Sequence, residues 1–207
     1  MKEQEPIVFI VDDDAMVRTG IESLVRSIGL RTATYSSAAE FSRAKLPDAP
    51  ACLILDVRMP GQSGLELQTE LRAAEIRIPI IFITGHGDVP MTVRAMKQGA
   101  MEFLTKPVRS QELIEAVQKA IVRDREARRE QAELDRIRAR FASLTPRETE
   151  VLNLVVAGLL NKQIADELAM SELTVKTHRA HVMEKTQADS LAHLVRMSEA
   201  LRNSLPK

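Results

Sequence analysis

Four apolar stretches of this chain each stop at residues able to handle a phosphoryl group. Ile7–Val11 runs into Asp12-Asp13-Asp14, Cys52–Leu55 into Asp56, Pro79–Ile83 into Thr84, and Met101–Thr105 into Lys106. Taken singly, each has a plainer role. Asp14 suits a helix N-cap, Asp56 a strand-end turn, Thr84 the start of a Gly-rich loop, and Lys106 the residue before a proline. Together they place the carboxylates of Asp12, Asp13 and Asp56, one hydroxyl and one ammonium at the ends of apolar strands. In open parallel sheets that is where ligands bind. Clustered carboxylates repel one another and favour a hard divalent cation such as Mg2+. Such a cation bridges a carboxylate and an incoming phosphoryl oxygen. Lys106 adds a second positive charge, and Thr84 a neutral donor able to follow a new phosphate. A carboxylate can itself be the nucleophile, giving an acyl phosphate.

The elements that must position these groups are legible from periodicity. Ile7–Val11 is continuously apolar, as a strand buried on both faces should be. Val17, Ile21, Leu24, Val25 and Ile28 then recur at helical spacing, closed by Gly29. The same figure repeats with strands over Leu30–Tyr35, Cys52–Leu55, Pro79–Ile83 and Met101–Thr105. Its helices start near Ser37, Gly64, Asp88 and Ser110. Five βα units with short connections predict a parallel sheet with helices on both faces. Between Val122 and Arg140 stand seven arginines and five acids with no Gly or Pro. This predicts a solvated helix continuing the one that begins near Ser110, without the sustained heptads of a coiled coil. Beyond it Thr145, Pro146 and Glu148 spell an N-cap, a first-turn proline and a capping box. Gly158 can close that helix, and further helices are expected near Lys162–Leu168, Glu172–Lys185 and Leu191–Arg202.

Composition narrows the function. The chain has 207 residues, 44% hydrophobic and 28% charged, which suits a folded protein with a real core. Its 29 basic and 29 acidic residues leave no net field to attract nucleic acid or an acidic membrane. One cysteine, Cys52, excludes a disulfide framework and a multi-thiolate metal cluster. Only five apolar residues follow the acidic N-terminus, too few for a secretory signal or a span of ~20 residues. A cytoplasmic location is therefore expected. There is no P-loop. In Gly61-Gln62-Ser63-Gly64 the residue after Gly64 is Leu65, so the segment is a turn before a helix and not a nucleophile elbow. His86, His178, His181 and His193 lack zinc-like spacing.

Residues 1–122 resemble the receiver domain of bacterial two-component response regulators, and the whole chain resembles the NarL/FixJ family. The matching pieces are Val11-Asp12-Asp13-Asp14, Leu55-Asp56-Val57-Arg58-Met59-Pro60-Gly61, Ile83-Thr84-Gly85-His86-Gly87-Asp88 and Lys106-Pro107. The resemblance implies that Asp56 accepts the phosphoryl group and that Asp12 and Asp13 form an acidic pocket. Asp13, Asp56 and the backbone carbonyl of Arg58 would hold Mg2+. Thr84 and Phe103 would be paired switch residues, Lys106 the phosphate-contacting lysine, and Lys106–Pro107 a cis bond. Val108 departs from the aromatic that commonly follows Lys-Pro.

The C-terminal part resembles LuxR-type DNA-binding domains through Leu144-Thr145-Pro146-Arg147-Glu148, Asn161-Lys162-Gln163-Ile164-Ala165 and Thr174-Val175-Lys176-Thr177-His178. Glu172–Lys185 would be the recognition helix, with Lys176 and Thr177 reading base edges. Lys162, Thr174, Arg179 and Lys185 would hold backbone phosphates, and His178 would pack inward. Ala169 stands in a turn that usually takes Gly, Asp or Asn, and Thr186 where Leu or Met is usually buried. Residues 141–207 carry eight cations and eight acids, so two copies are expected to be needed for firm DNA binding.

The expected fold is a flavodoxin-like (βα)5 receiver over residues 1–122, a helical linker over 123–140, and an all-α, four-helix LuxR-type helix-turn-helix domain over 141–207. The expected function is a phosphorylation-activated transcriptional regulator, not an enzyme beyond slow self-dephosphorylation. Its expected partners are a sensor histidine kinase, promoter DNA and a second copy, with RNA polymerase a further candidate and no membrane. The rival reading is a receiver-controlled protein-interaction module that has lost DNA binding through Ala169 and Thr186.

Overall fold

The computed structural model describes residues 4–85 and 89–204. The expected helix start at Asp88 lies outside them. Five parallel strands, β1 (Ile7–Val11), β2 (Arg31–Tyr35), β3 (Ala51–Asp56), β4 (Ile80–Thr84) and β5 (Glu102–Thr105), form one sheet in the order β2-β1-β3-β4-β5. The helices between them are α1 (Ala15–Ser27), α2 (Ala38–Ser42), α3 (Gly64–Ala73) and α4 (Val89–Lys97), and α5 (Ser110–Ala142) follows β5.

The apolar runs are continuous because both sheet faces are covered. Side chains alternate across the sheet. Ile7, Phe9, Val11, Leu53, Leu55 and Phe82 meet Phe41, Leu67 and Leu71 of α2 and α3 on one face. Val8, Ile10, Ile54, Ile81 and Ile83 meet Ile21, Val25, Leu113 and Val117 of α1 and α5 on the other. Asp14 caps α1 by accepting from the backbone of Met16 and Val17, and Gly29 beyond its end has φ +80°. Ser63 and Glu66 form a capping box at α3. Cys52 is fully buried, and burial raises its thiol pKa far above the usual value.

The second unit contains α6 (Pro146–Val156), α7 (Asn161–Glu167), α8 (Glu172–Thr186) and α9 (Leu191–Asn203), packed on Val151, Leu152, Val155, Ile164, Val175, Val182, Leu194 and Met197. Thr145 and Glu148 make the expected capping box, with Pro146 in the first turn.

The chain divides between Arg128 and Arg129, inside α5. The tract expected over 123–140 is helical, but it is not solvated throughout. Asp124 is buried, accepting from the Ala51 N–H at 2.8 Å and from Arg128 Nε at 2.6 Å, while Arg128 also reaches Asp48. Ile137 is buried in the core of the second unit, with Phe141 packed against it. A charged run reads as exposed, yet a buried carboxylate is tolerated when its lone pairs are satisfied. Among the described residues no helix is long and apolar enough to cross a membrane.

Candidate phosphoryl site and nucleic-acid interface

Asp12 follows β1 directly, Asp56 ends β3, Thr84 ends β4, and Lys106 follows β5. The parallel register therefore brings all four to the carboxyl edge of the sheet. Lys106 Nζ lies 2.7 Å from Oδ2 of Asp12 and 2.7 Å from Oδ2 of Asp56. Asp12 and Asp56 are buried and Asp13 is exposed. One carboxylate oxygen from each of these three aspartates lies within 4.8 Å of the others. Three carboxylates facing one ammonium leave a deficit of positive charge. An all-oxygen donor set of this size suits a hard dication.

The remaining lone pairs are placed by the backbone. The Asp14 N–H donates to Asp12 Oδ1 at 2.9 Å, and the Arg58 N–H to Asp56 Oδ1 at 3.1 Å. Burial pushes the Asp12 carboxyl above its ordinary pKa, against the pull of Lys106. For Lys106, burial alone would lower the pKa, but its hydrogen bonds to Asp12 and Asp56 outweigh that and raise it. A bound dication would oppose the effect of burial and favour the ionised form of Asp12.

Thr84 is fully buried, and its carbonyl accepts from the Lys106 N–H at 2.7 Å. Phe103, on the neighbouring strand, is half-buried with its ring centroid 6.2 Å from that of Phe82. The Lys106–Pro107 bond is cis. Val108 packs against the face of the sheet that α1 and α5 cover.

Two residues support the site in ways the sequence does not show. Arg18 donates to the carbonyls of Asp12 (2.6 Å) and Asp13 (3.2 Å), pinning the acidic loop from the first turns of α1. A Cβ on Gly64 would sit 2.2 Å from the Asp56 carbonyl oxygen, so only glycine lets α3 start this close to the strand end. The capping-box spacing signals a helix start there, but no local pattern reveals the close approach.

In the second unit α7 and α8 form the expected helix pair. Ile164 and Ala165 are buried against Val175 and Val182, and Ser171 caps α8 by accepting from the Thr174 N–H. Lys162, Thr174, Lys176 and Thr177 are exposed. Arg179 and Lys185 are half-buried and each has a protein partner. Arg179 donates to Asn161 Oδ1 at 2.6 Å and Lys185 to Glu148 Oε2 at 2.6 Å. Glu148 is almost fully buried and also accepts from the Thr145 N–H. The Lys185 hydrogen bond leads the effects that hold its carboxyl down to a pKa of about 2.

His178 is half-buried, with its Nδ1 buried and unpartnered among the described residues. Ala169 takes φ +51°, a left-handed conformation that strains any side chain with a Cβ by about 1 kcal/mol. Thr186 is fully buried, and its hydroxyl donates to the Val182 carbonyl at 2.6 Å, so its polar atom is satisfied within its own helix.

Residues 8–118 match the family model of the response regulator receiver domain, and residues 142–198 that of the bacterial regulatory proteins of the luxR family. The chain is 54% identical over 195 residues to Nodulation protein W of Bradyrhizobium diazoefficiens, covering 94% of this chain and 86% of that protein. It is 44% identical over 198 residues to the transcriptional regulatory protein FixJ of Azorhizobium caulinodans, covering 96% and 93%. The solved structure of the response regulator StyR is similar over 95% of this chain and 99% of its own, at 48% identity and a TM-score of 0.86. With the receiver fold, its acidic edge and the helix-turn-helix all in one chain, this protein belongs to the NarL/FixJ family of response regulators.

Proposed function

We propose that Asp56 is the residue through which this phosphorylation-activated, DNA-binding transcriptional regulator is switched. The observation that carries the reading is Lys106 bridging Asp12 and Asp56 at 2.7 Å on the same sheet edge as Thr84. In this reading an Asp56 carboxylate oxygen attacks the phosphorus of a phosphohistidine on a sensor kinase. The P–N bond breaks, its electron pair returns to the imidazole, and an acyl phosphate remains on Asp56. Lys106 neutralises charge on the transferred oxygens, while Asp12, Asp13, Asp56 and the Arg58 carbonyl would hold Mg2+. The cation supplies electrostatic stabilisation of the phosphoryl oxygens. Thr84 then follows the new phosphate and Phe103 moves with it.

The receiver is read as residues 1–122 and the DNA-binding domain as 141–207. The phosphoryl group stays on the protein's own side chain, so turnover is confined to slow self-hydrolysis. The phosphorylated chain pairs with a second copy and engages two half-sites of a promoter. Lys176 and Thr177 read bases and Lys162 and Thr174 hold phosphates, with contact to RNA polymerase following on the DNA. The experiment is a footprint with the chain treated with acetyl phosphate and Mg2+. Protection of a two-half-site sequence by wild type, lost in Asp56→Asn, is the expected result. Equal protection by both chains would overturn the switch, and no protection at any site would favour a protein-interaction module.

A further inference from the structure

The outermost stripe of α8 has an unusual composition. At about 100° per residue, Leu173, Thr177 and Ala180 fall within roughly 60° of arc over the first turns of the helix, and the exposed Glu184 follows on the same arc near its end. They lie about 180–200° around from Val175 and Val182, which are 0% and 1% exposed. A solvated helix face opposite its core is ordinarily charged or polar. Here Leu173 is 74% exposed and Thr177 and Ala180 are exposed too.

The hydroxyls nearby are already engaged. Thr177 Oγ1 donates to the Leu173 carbonyl at 3.1 Å, and Thr174 Oγ1 shares a hydrogen bond with Ser171 Oγ at 2.8 Å. What the first turns of this helix offer outward is thus an isobutyl group, two methyl groups and the ammonium of Lys176. The surface that matches this apolar patch beside an exposed lysine, on a helix of a DNA-binding domain, is a major groove lined with thymine C5-methyl groups. In that groove thymine alone of the four bases offers an apolar group.

We propose that Leu173 is a specificity-determining residue that reads thymine methyl groups, with Thr177 and Ala180 completing the apolar contact. The proposal rests on α8 being the recognition helix and names what that helix selects.

Thymine and uracil differ only in this methyl group, so the contact can be isolated without touching a hydrogen bond. Duplexes would be selected from a random pool by the full-length chain treated with acetyl phosphate and Mg2+. Binding would then be titrated with each thymine replaced singly by deoxyuridine. Wild type should lose roughly fourfold in affinity at one or two positions per half-site, the worth of one buried methyl group. Leu173→Ala should bind the thymine duplex more weakly by a similar factor and no longer distinguish thymine from uracil at that position. Wild-type indifference to every replacement, or discrimination unchanged in Leu173→Ala, would overturn the proposal while leaving DNA binding intact. Failure of the wild-type chain to select any duplex would instead overturn the recognition-helix reading, and this proposal with it.

Discussion

Lys185, near the end of α8, holds its ammonium 2.6 Å from the buried carboxylate of Glu148 in the first turn of α6. A lysine placed there by sequence looks like a phosphate contact. Its hydrogen bond makes it a strut between two helices. Lys185→Ala should therefore lower stability to denaturant by about 1–2 kcal/mol and leave the slope of log affinity against log salt unchanged. Lys162, which is exposed, should behave in the opposite way. Lys162→Ala should leave stability unaltered and flatten the salt slope by about one. Denaturation curves and DNA titrations at several salt concentrations separate the two.

The same strut has a pH signature. The folded-state pKa of Glu148 is depressed from 4.5 to about 2, so its contribution is fully present above the unfolded value and is lost as pH falls through the folded one. The stability difference between wild type and Glu148→Gln should be constant from neutrality down to about pH 5 and shrink between about pH 4.5 and 2. A difference that stayed level to pH 2.5 would show that the carboxylate is not carrying the pair.

Asp56→Asn should form no phosphoryl adduct with acetyl phosphate, whereas wild type should gain one. Removing Mg2+ with a chelator should abolish the wild-type adduct as well. Intact-mass spectrometry reads both, and an undiminished adduct in the mutant would move the acceptor elsewhere.

Gly64→Ala places a methyl group where 2.2 Å separates it from the Asp56 carbonyl oxygen. Either α3 or the end of β3 must shift, at a cost of about 1–3 kcal/mol. Because the displaced atom belongs to Asp56, the rate of acetyl phosphate labelling should fall along with stability. A variant of wild-type stability and labelling rate would show that the strand end yields freely.

Val89, Val93 and Met96 are exposed at helical spacing along α4, beside the strand that carries Phe103. Phosphorylation is expected to shift the chain from monomer to dimer through this face. Reversing a 1:99 switch to 99:1 takes ~5.5 kcal/mol of differential stabilisation. Val93→Glu should leave labelling of Asp56 intact and keep the phosphorylated chain monomeric in sedimentation velocity. Dimers of undiminished population in that variant would place the interface elsewhere.

How far the sequence reaches depends on the range of the interaction. Strand and helix positions follow from apolar periodicity and local caps, and the strands of the structure differ from the expected ones by at most one residue at either end. The convergence of Asp12, Asp56, Thr84 and Lys106 is equally legible, because a parallel sheet brings every strand's carboxyl end to one edge. The exposure of Lys162 and Lys176 needs only the helical repeat.

The tertiary structure alone decided the partners of charges far apart in the chain. Asp124 looks like one more acid in a solvated tract, yet it is buried, accepting from the backbone N–H of Ala51, 73 residues away. Lys185 and Arg179 share the composition of a phosphate-binding helix, and packing gives each a protein partner as well, Glu148 and Asn161. Gly64 reads as a turn residue until the Asp56 carbonyl is found against its Cα. Periodicity reports which face of an element is buried. Only packing determines which charged group is held by a protein partner and which remains available to a ligand.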